Sequence, residues 1–273
     1  MNNMFLCDSH IHSKYSFDGS EEIYNLYLSA KQKGLGAIAI TDHYDCCENM
    51  DYQKQINDFK QRNKDINNIL GLFKNRIKIF KGIELGQPID NYTAANKMLD
   101  EVDFDFTLLS LHNLTGEPDF YYMDNFEKRY VYKMLDRYFD ELIELLDFDR
   151  FDSLAHLTYP LRYIIPNVKF DFDILRFNHK IDEILKKLIK KNKALEINTS
   201  GLSQTISQTL PSIDIVRRFK RFGGKYITIG SDAHTHNNIG SHLKSAVILA
   251  LNAGFETITV YDKHKPIVQR IIL

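Results

Sequence analysis

The chain has 273 residues, of which 44% are hydrophobic and 26% are charged. This composition is typical of a globular protein and excludes a disordered or collagen-like chain. Lysine and arginine number 35 against 36 aspartate and glutamate, which gives a formal net charge of −1 at pH 7. Charge therefore does not draw the whole chain toward nucleic acid or an anionic membrane.

The N-terminal segment has no basic region followed by a long apolar run, and no later stretch is long enough to span a bilayer. The three cysteines, Cys7, Cys46 and Cys47, lack CxxC spacing and do not indicate a disulfide framework. We therefore expect a soluble protein that stays in the cytoplasm.

Short apolar runs alternate with longer amphipathic runs, which is typical of β/α units that build a parallel sheet. Strands are predicted at Met4–Asp8, Ala37–Thr41, Ile77–Glu84, Phe106–Leu111, Asp152–Ala155, Ala194–Asn198 and Tyr226–Gly230. Helices are predicted at Glu21–Lys33, Tyr52–Phe73, Tyr92–Glu101, Asn125–Leu146, Asp171–Lys191, Pro211–Phe222 and Ser241–Ala253. The tail, 255–273, is expected to add one more strand and a packed end. No linker or repeat divides the chain, so we expect a single domain over residues 1–273.

Polar side chains recur where the predicted strands end. In chain order they are Asp8, His10, His12, Thr41, Asp42, His43, Glu84, Ser110, His112, His156, Glu196, Asn198, Ser231, Asp232 and His234. The carboxyl ends of parallel strands meet at one face of a barrel, so these side chains are expected to converge there. Side chains two apart share a face of an extended segment, so His10 and His12 can bind one ion together. One such histidine alone is more often structural, but that interpretation must be repeated for nearly every strand.

The types of candidate ligand indicate the chemistry. Imidazole nitrogens mixed with carboxylate oxygens, without a pair of thiolates, favour zinc, manganese or iron(II) over calcium or an iron–sulfur cluster. The candidates outnumber the ligands of one structural zinc, so two or more ions bridged by a carboxylate are expected. Such a cluster can lower the pKa of a bound water and stabilise charge on phosphate oxygens. The sequence therefore predicts hydrolysis of a phosphate ester, and no nucleotide-binding glycine loop or nucleophile elbow competes with this interpretation.

A set of short segments makes the chain recognisable. They are HIH at 10–12, TDH at 41–43, GIE at 82–84, LH at 111–112, AH at 155–156 and GSDAH at 230–234. Together they resemble the polymerase and histidinol phosphatase (PHP) family over almost the whole chain. Within it, the chain resembles the monofunctional histidinol-phosphate phosphatases of histidine biosynthesis. The resemblance implies a distorted (β/α)7 TIM-like barrel in the α/β class that holds three divalent ions of zinc, manganese or iron.

The resemblance also implies which residues bind each ion. The first ion would be surrounded by His10, His12, Glu84 and Asp232. The second would share Glu84 and take His112 and His156. The third would take Asp18, His43 and His234, although some family members have histidine at the position of Asp18.

Other residues are candidates for catalysis or substrate binding. Arg162 lies where the histidinol phosphatases carry an arginine that binds the substrate phosphate, and a guanidinium fork matches two phosphate oxygens. Lys14 could help to hold the phosphate, and His236 could touch the substrate. Asp42 has two interpretations, a general acid that protonates the leaving alkoxide or a partner that orients a ligand histidine. The candidate catalytic residues are thus Asp42, Arg162 and His234.

We predict a metal-dependent phosphomonoesterase that hydrolyses L-histidinol phosphate to L-histidinol and phosphate. One alternative keeps the fold and ions but acts on nucleotides or nucleic-acid ends, although the near-neutral charge and Arg162 weigh against long nucleic acids. Another is a metal-binding regulatory protein without turnover, against which the full ligand set argues. The expected partner is a small phosphate ester and not a membrane, and the sequence leaves the oligomeric state open.

Overall fold

The computed structural model describes residues 6–47, 50–73 and 77–272. Within them, eight parallel strands are β1 (Cys7–Ile11), β2 (Ala37–Ile40), β3 (His43–Asp45), β4 (Lys78–Gly86), β5 (Phe106–Ser110), β6 (Ser153–Leu154), β7 (Ala194–Asn198) and β8 (Ile227–Gly230). Their spatial order is β1-β2-β4-β5-β6-β7-β8. The short β3 pairs with β4 just beyond the part of β4 that pairs with β2.

Helices alternate with these strands. They are α1 (Ile23–Gln32), α2 (Tyr52–Phe73), α3 (Tyr92–Glu101), α4 (Lys128–Leu145), α5 (Leu161–Ile164), α6 (Asn178–Lys190), α7 (Ile213–Arg221) and α8 (Leu243–Asn252). The tail forms an antiparallel hairpin of β9 (Thr257–Asp262) and β10 (Lys265–Arg270).

The sheet nearly closes on itself between its two edge strands, β1 and β8. Just beyond β8, Ala233 pairs with Ile11, and the Asp232 amide donates a hydrogen bond to the His10 carbonyl oxygen at 2.9 Å. The chain is therefore a parallel barrel with alternating helices, and the predicted (β/α)7 TIM-like fold is confirmed.

The interior of the barrel is apolar at one end and polar at the other. Side chains alternate between the interior and the helix layer along each strand, so Phe80, Gly82 and Glu84 of β4 share the inner face. Phe80 packs with Cys7 and Phe106 in an apolar cluster near the amino ends of the strands. Glu84 is fully buried toward the carboxyl end. The strand period thus places carboxylates and imidazoles at one end of the barrel.

A second, larger apolar cluster extends from Ile11 to Ile258 and joins the sheet to the helices. Helix α4 buries Val131, Leu135 and Leu142, whose spacing forms one apolar stripe. This continuous core makes the described chain one domain. That the domain extends from residue 1 to residue 273 stays a prediction. Within residues 6–47, 50–73 and 77–272, no helix is both long and apolar enough to cross a bilayer.

Several boundaries differ from their predictions. Residues 4 and 5 of the first predicted strand lie outside the described residues, and β1 continues to Ile11 because its polar residues are buried inside the barrel. The helix predicted over 171–191 begins only at Asn178, after a 3-10 turn at Ile174–Phe177. The Asp173 carboxylate favours this turn by accepting a hydrogen bond from the Leu175 amide. The short elements β3 and α5 and the second strand of the tail were not predicted from the sequence.

Candidate metal centre

The carboxyl ends of the strands bring all the predicted metal ligands into one cluster. Glu84 of β4 lies at its centre, fully buried. Its Oε2 atom lies 3.0 Å from His10 Nε2 and 3.2 Å from His43 Nδ1. Its Oε1 atom lies 3.0 Å from His112 Nε2 and 2.9 Å from His156 Nε2. One carboxylate therefore faces two groups of imidazoles, as a bridging ligand must.

Asp232 lies on the side of the cluster nearest to β1 and β8. Its Oδ1 atom is 3.4 Å from His12 Nε2 and 3.7 Å from His10 Nε2. Its backbone has φ of 58°, in the left-handed region that costs energy for a residue with a side chain. The neighbouring Gly230 permits close packing here, because a Cβ atom at that position would clash with the His10 Cβ atom.

A third group lies toward solvent. Asp18 Oδ2 is 2.8 Å from His234 Nε2 and 3.5 Å from His43 Nε2. The His12 and His234 rings stack with their centroids 4.2 Å apart, so this group is continuous with the rest of the cluster. Asp18 is thus placed where the resemblance implies a ligand.

Hydrogen bonds from behind orient three of the imidazoles. Glu196 Oε1 lies 2.8 Å from His10 Nδ1, and Ser16 Oγ lies 3.0 Å from His12 Nδ1. Asp45 Oδ1 lies 3.3 Å from His112 Nδ1. Such contacts fix the ring so that Nε2 points at the metal position. From the sequence, Glu196 is a polar residue at a strand end without an assigned role. Asp45 was not predicted, and the signal that could have found it is its place two residues after His43 on β3.

The carboxylates of the cluster are in the form that binds cations. Burial alone would raise the pKa of the Glu84 carboxyl, but the surrounding His10, His43 and His112 hold that pKa well below its usual range. Burial is likewise outweighed at Asp232, whose pKa is lowered chiefly by His10. At Asp18, hydrogen bonds from His234 and His43 lower the pKa against the effect of burial. All three carboxylates are therefore ionised at neutral pH, the form that binds a metal ion.

The donor atoms also have the geometry of ion sites. Within the described residues, the buried atoms His12 Nε2 and His43 Nδ1 make no hydrogen bond, although the carboxylates of Asp232 and Glu84 lie 3.4 and 3.2 Å away. Sets of ligand atoms that all lie within 4.8 Å of one another include His10 with His12 and Glu84, Glu84 with His112 and His156, and His12 with Asp18, His43 and His234. The residues therefore fit several divalent ions, as predicted, while the number three and the division of ligands stay predictions.

Three predicted site residues lie away from this cluster. Asp42 is fully buried behind it, where its carboxylate accepts hydrogen bonds from Ser13 and Ser16 and pairs with Arg62 at 3.3 Å. This placement favours orientation of His12 through Ser16 and not a general acid. The Lys14 ammonium pairs with the Glu22 carboxylate at 2.8 Å.

His236 binds the Glu21 carboxylate in the same way, with Nδ1 2.5 Å from Oε1. Both side chains contact surface carboxylates, and neither lines the cavity that opens onto the metal ligands. Their substrate-binding roles stay predictions.

A cavity of about 730 Å³ opens onto the metal ligands. Arg162, from α5, lines it together with Glu84, Asp232 and His234. The Arg162 Nη2 atom lies 3.1 Å from Asp232 Oδ2, and its guanidinium stacks over the Tyr159 ring with Cζ 4.6 Å from the centroid. The outer wall carries Phe17, Asp119, Tyr121, Tyr122, Tyr159 and Tyr163.

The fold and the site together define the class of protein. It is a parallel β/α barrel whose histidines and carboxylates form a polynuclear metal site at the carboxyl ends of the strands. Residues 8–200 match the PHP domain, and the chain belongs to this family. The match spans most of the metal ligands, and Asp232 and His234 follow it.

The family match extends to whole-length relatives. The chain is 30% identical over 263 residues to the histidinol-phosphatase of Lactococcus lactis, covering 94% of this chain and 95% of the relative. It is 29% identical over 260 residues to a Thermotoga maritima protein named "Probable histidinol-phosphatase", covering 94% and 97%. The crystal structure of histidinol phosphate phosphatase from Lactococcus lactis, complexed with zinc, L-histidinol and phosphate, has a TM-score of 0.80 and 27% identity. That likeness covers 96% of this chain and 99% of the other.

Proposed function

We propose that the protein is a metal-dependent phosphatase that hydrolyses L-histidinol phosphate to L-histidinol and phosphate. Its relatives over the whole length carry the name histidinol-phosphatase, and the similar crystal structure contains zinc, L-histidinol and phosphate. The substrate is therefore a small phosphate ester, which a cavity of about 730 Å³ can enclose.

The observation that carries this proposal is the position of Arg162. Its guanidinium lies in the same cavity as Glu84 and Asp232, held by Asp232 and by Ser200 Oγ at 3.2 Å. Its Nε atom is buried and makes no hydrogen bond with the described residues. A phosphate lying between the metal positions and Arg162 would accept hydrogen bonds from the guanidinium. Arg162 thus binds phosphate oxygens and stabilises the charge that they gain in the transition state.

The metal ligands supply the other half of the phosphate site. His10, His12, Glu84 and Asp232 would hold one ion, Glu84, His112 and His156 a second, and Asp18, His43 and His234 a third. Bound divalent ions contribute positive charge beside the phosphate and lower the pKa of a water molecule. Glu196, Ser16 and Asp45 keep the ligand imidazoles oriented from behind. His234 lines the cavity as well, and its catalytic role is part of this proposal.

We place the reaction in the cytoplasm. Cys7, Cys46 and Cys47 are free thiols, which suits a reducing compartment. Residues 1–273 are taken to act as one PHP-type domain.

Phosphate release from a panel of esters by protein loaded separately with zinc, manganese or iron tests the proposal. We expect the highest kcat/KM with L-histidinol phosphate and loss of activity after removal of metal. A strong preference for nucleotides over L-histidinol phosphate would contradict the proposed substrate. Full turnover after exhaustive chelation would contradict the proposed dependence on metal. A metal-loaded protein without turnover on any ester would indicate a regulatory protein.

A further inference from the structure

A second cavity, of about 330 Å³, lies at the amino end of the barrel, opposite the metal centre. The amino ends of β5, β6 and β7 and the turn of the hairpin form its walls, through Thr107, residues 149–152, Lys193 and His264. Leu99 of α3 completes the lining. None of these described residues lines the cavity that opens onto the metal ligands. A molecule bound at the amino end would therefore not compete with the substrate.

The charged side chains that line this cavity do not balance. Three are of the cationic type and two are anionic, namely Arg150, Lys193, His264, Asp149 and Asp152. Both carboxylates already have partners, because Asp149 pairs with Lys191 and Asp152 Oδ2 lies 2.8 Å from His264 Nδ1. The hydrogen bond to Asp152 also raises the pKa of His264, which favours the imidazolium form. The lining therefore has an excess of positive charge when His264 is protonated.

Lys193 is the lining cation to which the protein gives no counter-ion. Its ammonium donates a hydrogen bond to the Phe151 carbonyl oxygen and lies over the Phe151 ring, with Nζ 4.9 Å from the centroid. Over residues 6–47, 50–73 and 77–272, no carboxylate forms an ion pair with it. Arg150 differs because it pairs with Asp100 at 2.7 Å. Burial lowers the pKa of Lys193, so an anion beside its ammonium would compensate for the lost hydration.

Thr107 adds a hydroxyl group that the fold does not use. The residue is fully buried, and its amide donates a hydrogen bond to Asp152 Oδ2 at 2.8 Å. Its Oγ1 atom makes no hydrogen bond with the described residues. A buried hydroxyl without a partner costs free energy, which a bound ligand or water can recover. Thr107, Lys193 and His264 thus bring three hydrogen-bonding groups to one cavity from separate elements.

We propose that this cavity binds a small organic oxyanion, a carboxylate or a phosphate group, through Lys193, His264 and Thr107. An oxyanion accepts hydrogen bonds from all three groups and neutralises the excess positive charge. Leu99 and the Phe151 ring give the rest of the ligand an apolar surface. Because His264 belongs to the hairpin and the other two groups belong to the barrel, the bound anion would also join the hairpin to the barrel.

NMR titration of the zinc-loaded protein tests this binding, since the amide signals of Thr107 and His264 report on this cavity and not on the metal centre. The probes are benzoate and phenylphosphonate, which share an apolar ring and differ in the oxyanion, and the buffer contains no other carboxylate or phosphate. We expect saturable shifts of both amide signals with at least one probe below about 10 mM. Benzyl alcohol has the ring without the charge and should bind at least about tenfold more weakly.

Lys193→Met keeps much of the side chain and removes its charge. We expect the dissociation constant of the probe to rise about tenfold or more, because a charge-assisted hydrogen bond is lost. Thr107→Val replaces the hydroxyl by a methyl group and should raise the constant about threefold or more. Lys190→Met is the matched control, because Lys190 is an exposed lysine of α6 outside the cavity lining. It should change the constant less than about threefold.

Binding of benzoate alone would identify the ligand as a carboxylate, and binding of phenylphosphonate alone would identify it as a phosphate compound. The absence of saturable shifts at Thr107 and His264 with both probes, or equal affinity for benzyl alcohol, would overturn the proposal. An unchanged dissociation constant in Lys193→Met would overturn it as well, and thermal denaturation checks that this variant is folded. If it is not folded, the constant measured for Thr107→Val decides in the same way.

Discussion

Arg162 joins the metal ligands to the aromatic wall of the cavity. One edge of its guanidinium contacts Asp232 and Ser200, and one face lies on the Tyr159 ring. Burial lowers the pKa of an arginine, but the nearby Asp232 carboxylate outweighs that effect and raises the pKa of Arg162. The side chain is therefore charged and held in one conformation before substrate binds, which reduces the entropy lost on binding.

At Arg162 we expect Arg162→Ala to lower kcat/KM for L-histidinol phosphate by about 10²-fold or more, the usual effect of removing a donor to a developing negative charge. Arg162→Lys should fall between this variant and wild type, because an ammonium keeps the charge but loses the fork. Steady-state kinetics and metal analysis of the same samples check this, since Arg162 also touches the ligand candidate Asp232.

Arg176→Ala removes an exposed arginine that also stacks on a tyrosine, Tyr132, and is the control. It should behave as wild type. A change of less than about threefold for Arg162→Ala, at full metal content, would contradict the phosphate-binding role.

At the scale of secondary-structure elements, the buried pair of Asp42 and Arg62 ties the end of β2 to helix α2. Both side chains are fully buried, and Asp42 also accepts hydrogen bonds from the loop that follows His12. Arg62 further contacts the Phe59 ring with Cζ 4.4 Å from its centroid. This buried ion pair therefore connects helix α2 to the loop that carries the metal-ligand candidate His12.

Removing Arg62 leaves the Asp42 charge buried without its partner. We expect Arg62→Met to lower the free energy of unfolding by about 3–5 kcal/mol, and Asp42→Asn added to it to recover part of that loss. Urea denaturation at one fixed metal concentration measures both.

The matched control for that experiment is Lys60→Met on the same helix. Lys60 makes an exposed pair with Glu101 at 2.8 Å, and solvent screening makes the contribution of such a pair to stability small. If Arg62→Met lost no more stability than Lys60→Met, the buried pair would not hold these elements together.

The alternation of side chains along strands explains both what the sequence predicts here and what it misses. His10, Glu84 and Asp232 follow or end apolar runs, so the barrel geometry alone predicts that they meet. Asp42 precedes His43 and Asp45 lies two residues after it, but the sequence does not show that the short strand β3 begins at His43. Because β3 does begin there, Asp45 shares the face of His43 while Asp42 points away, since neighbours along a strand face opposite sides.

At the scale of the whole molecule, the two ends of the barrel differ in structure and in function. The metal centre occupies the carboxyl end, and the hairpin of β9 and β10 covers the amino end, where the Tyr261 ring stacks on Phe106 at 5.4 Å. The hairpin turn is fixed by His264, whose amide donates to the Asp105 carbonyl oxygen at 2.9 Å. The sequence predicted one strand in this tail but not the turn, because Lys263 and His264 both adopt left-handed backbone angles, which are uncommon for residues with a side chain.

The link between His264 and the barrel makes the stability of the fold depend on pH. A hydrogen bond from His264 Nδ1 to Asp152 Oδ2, at 2.8 Å, raises the pKa of this histidine. A raised pKa in the folded state stabilises the protein below the unfolded value of about 6.5, and this contribution is lost as pH rises through the folded pKa.

We expect His264→Gln to lower the free energy of unfolding more at about pH 5.5 than at about pH 9. Urea denaturation at both values measures the difference from wild type, in which the effects of the other histidines cancel. His179→Gln, at an exposed position of α6, is the control substitution. An equal loss at both pH values for His264→Gln would mean that the hairpin is held by packing alone.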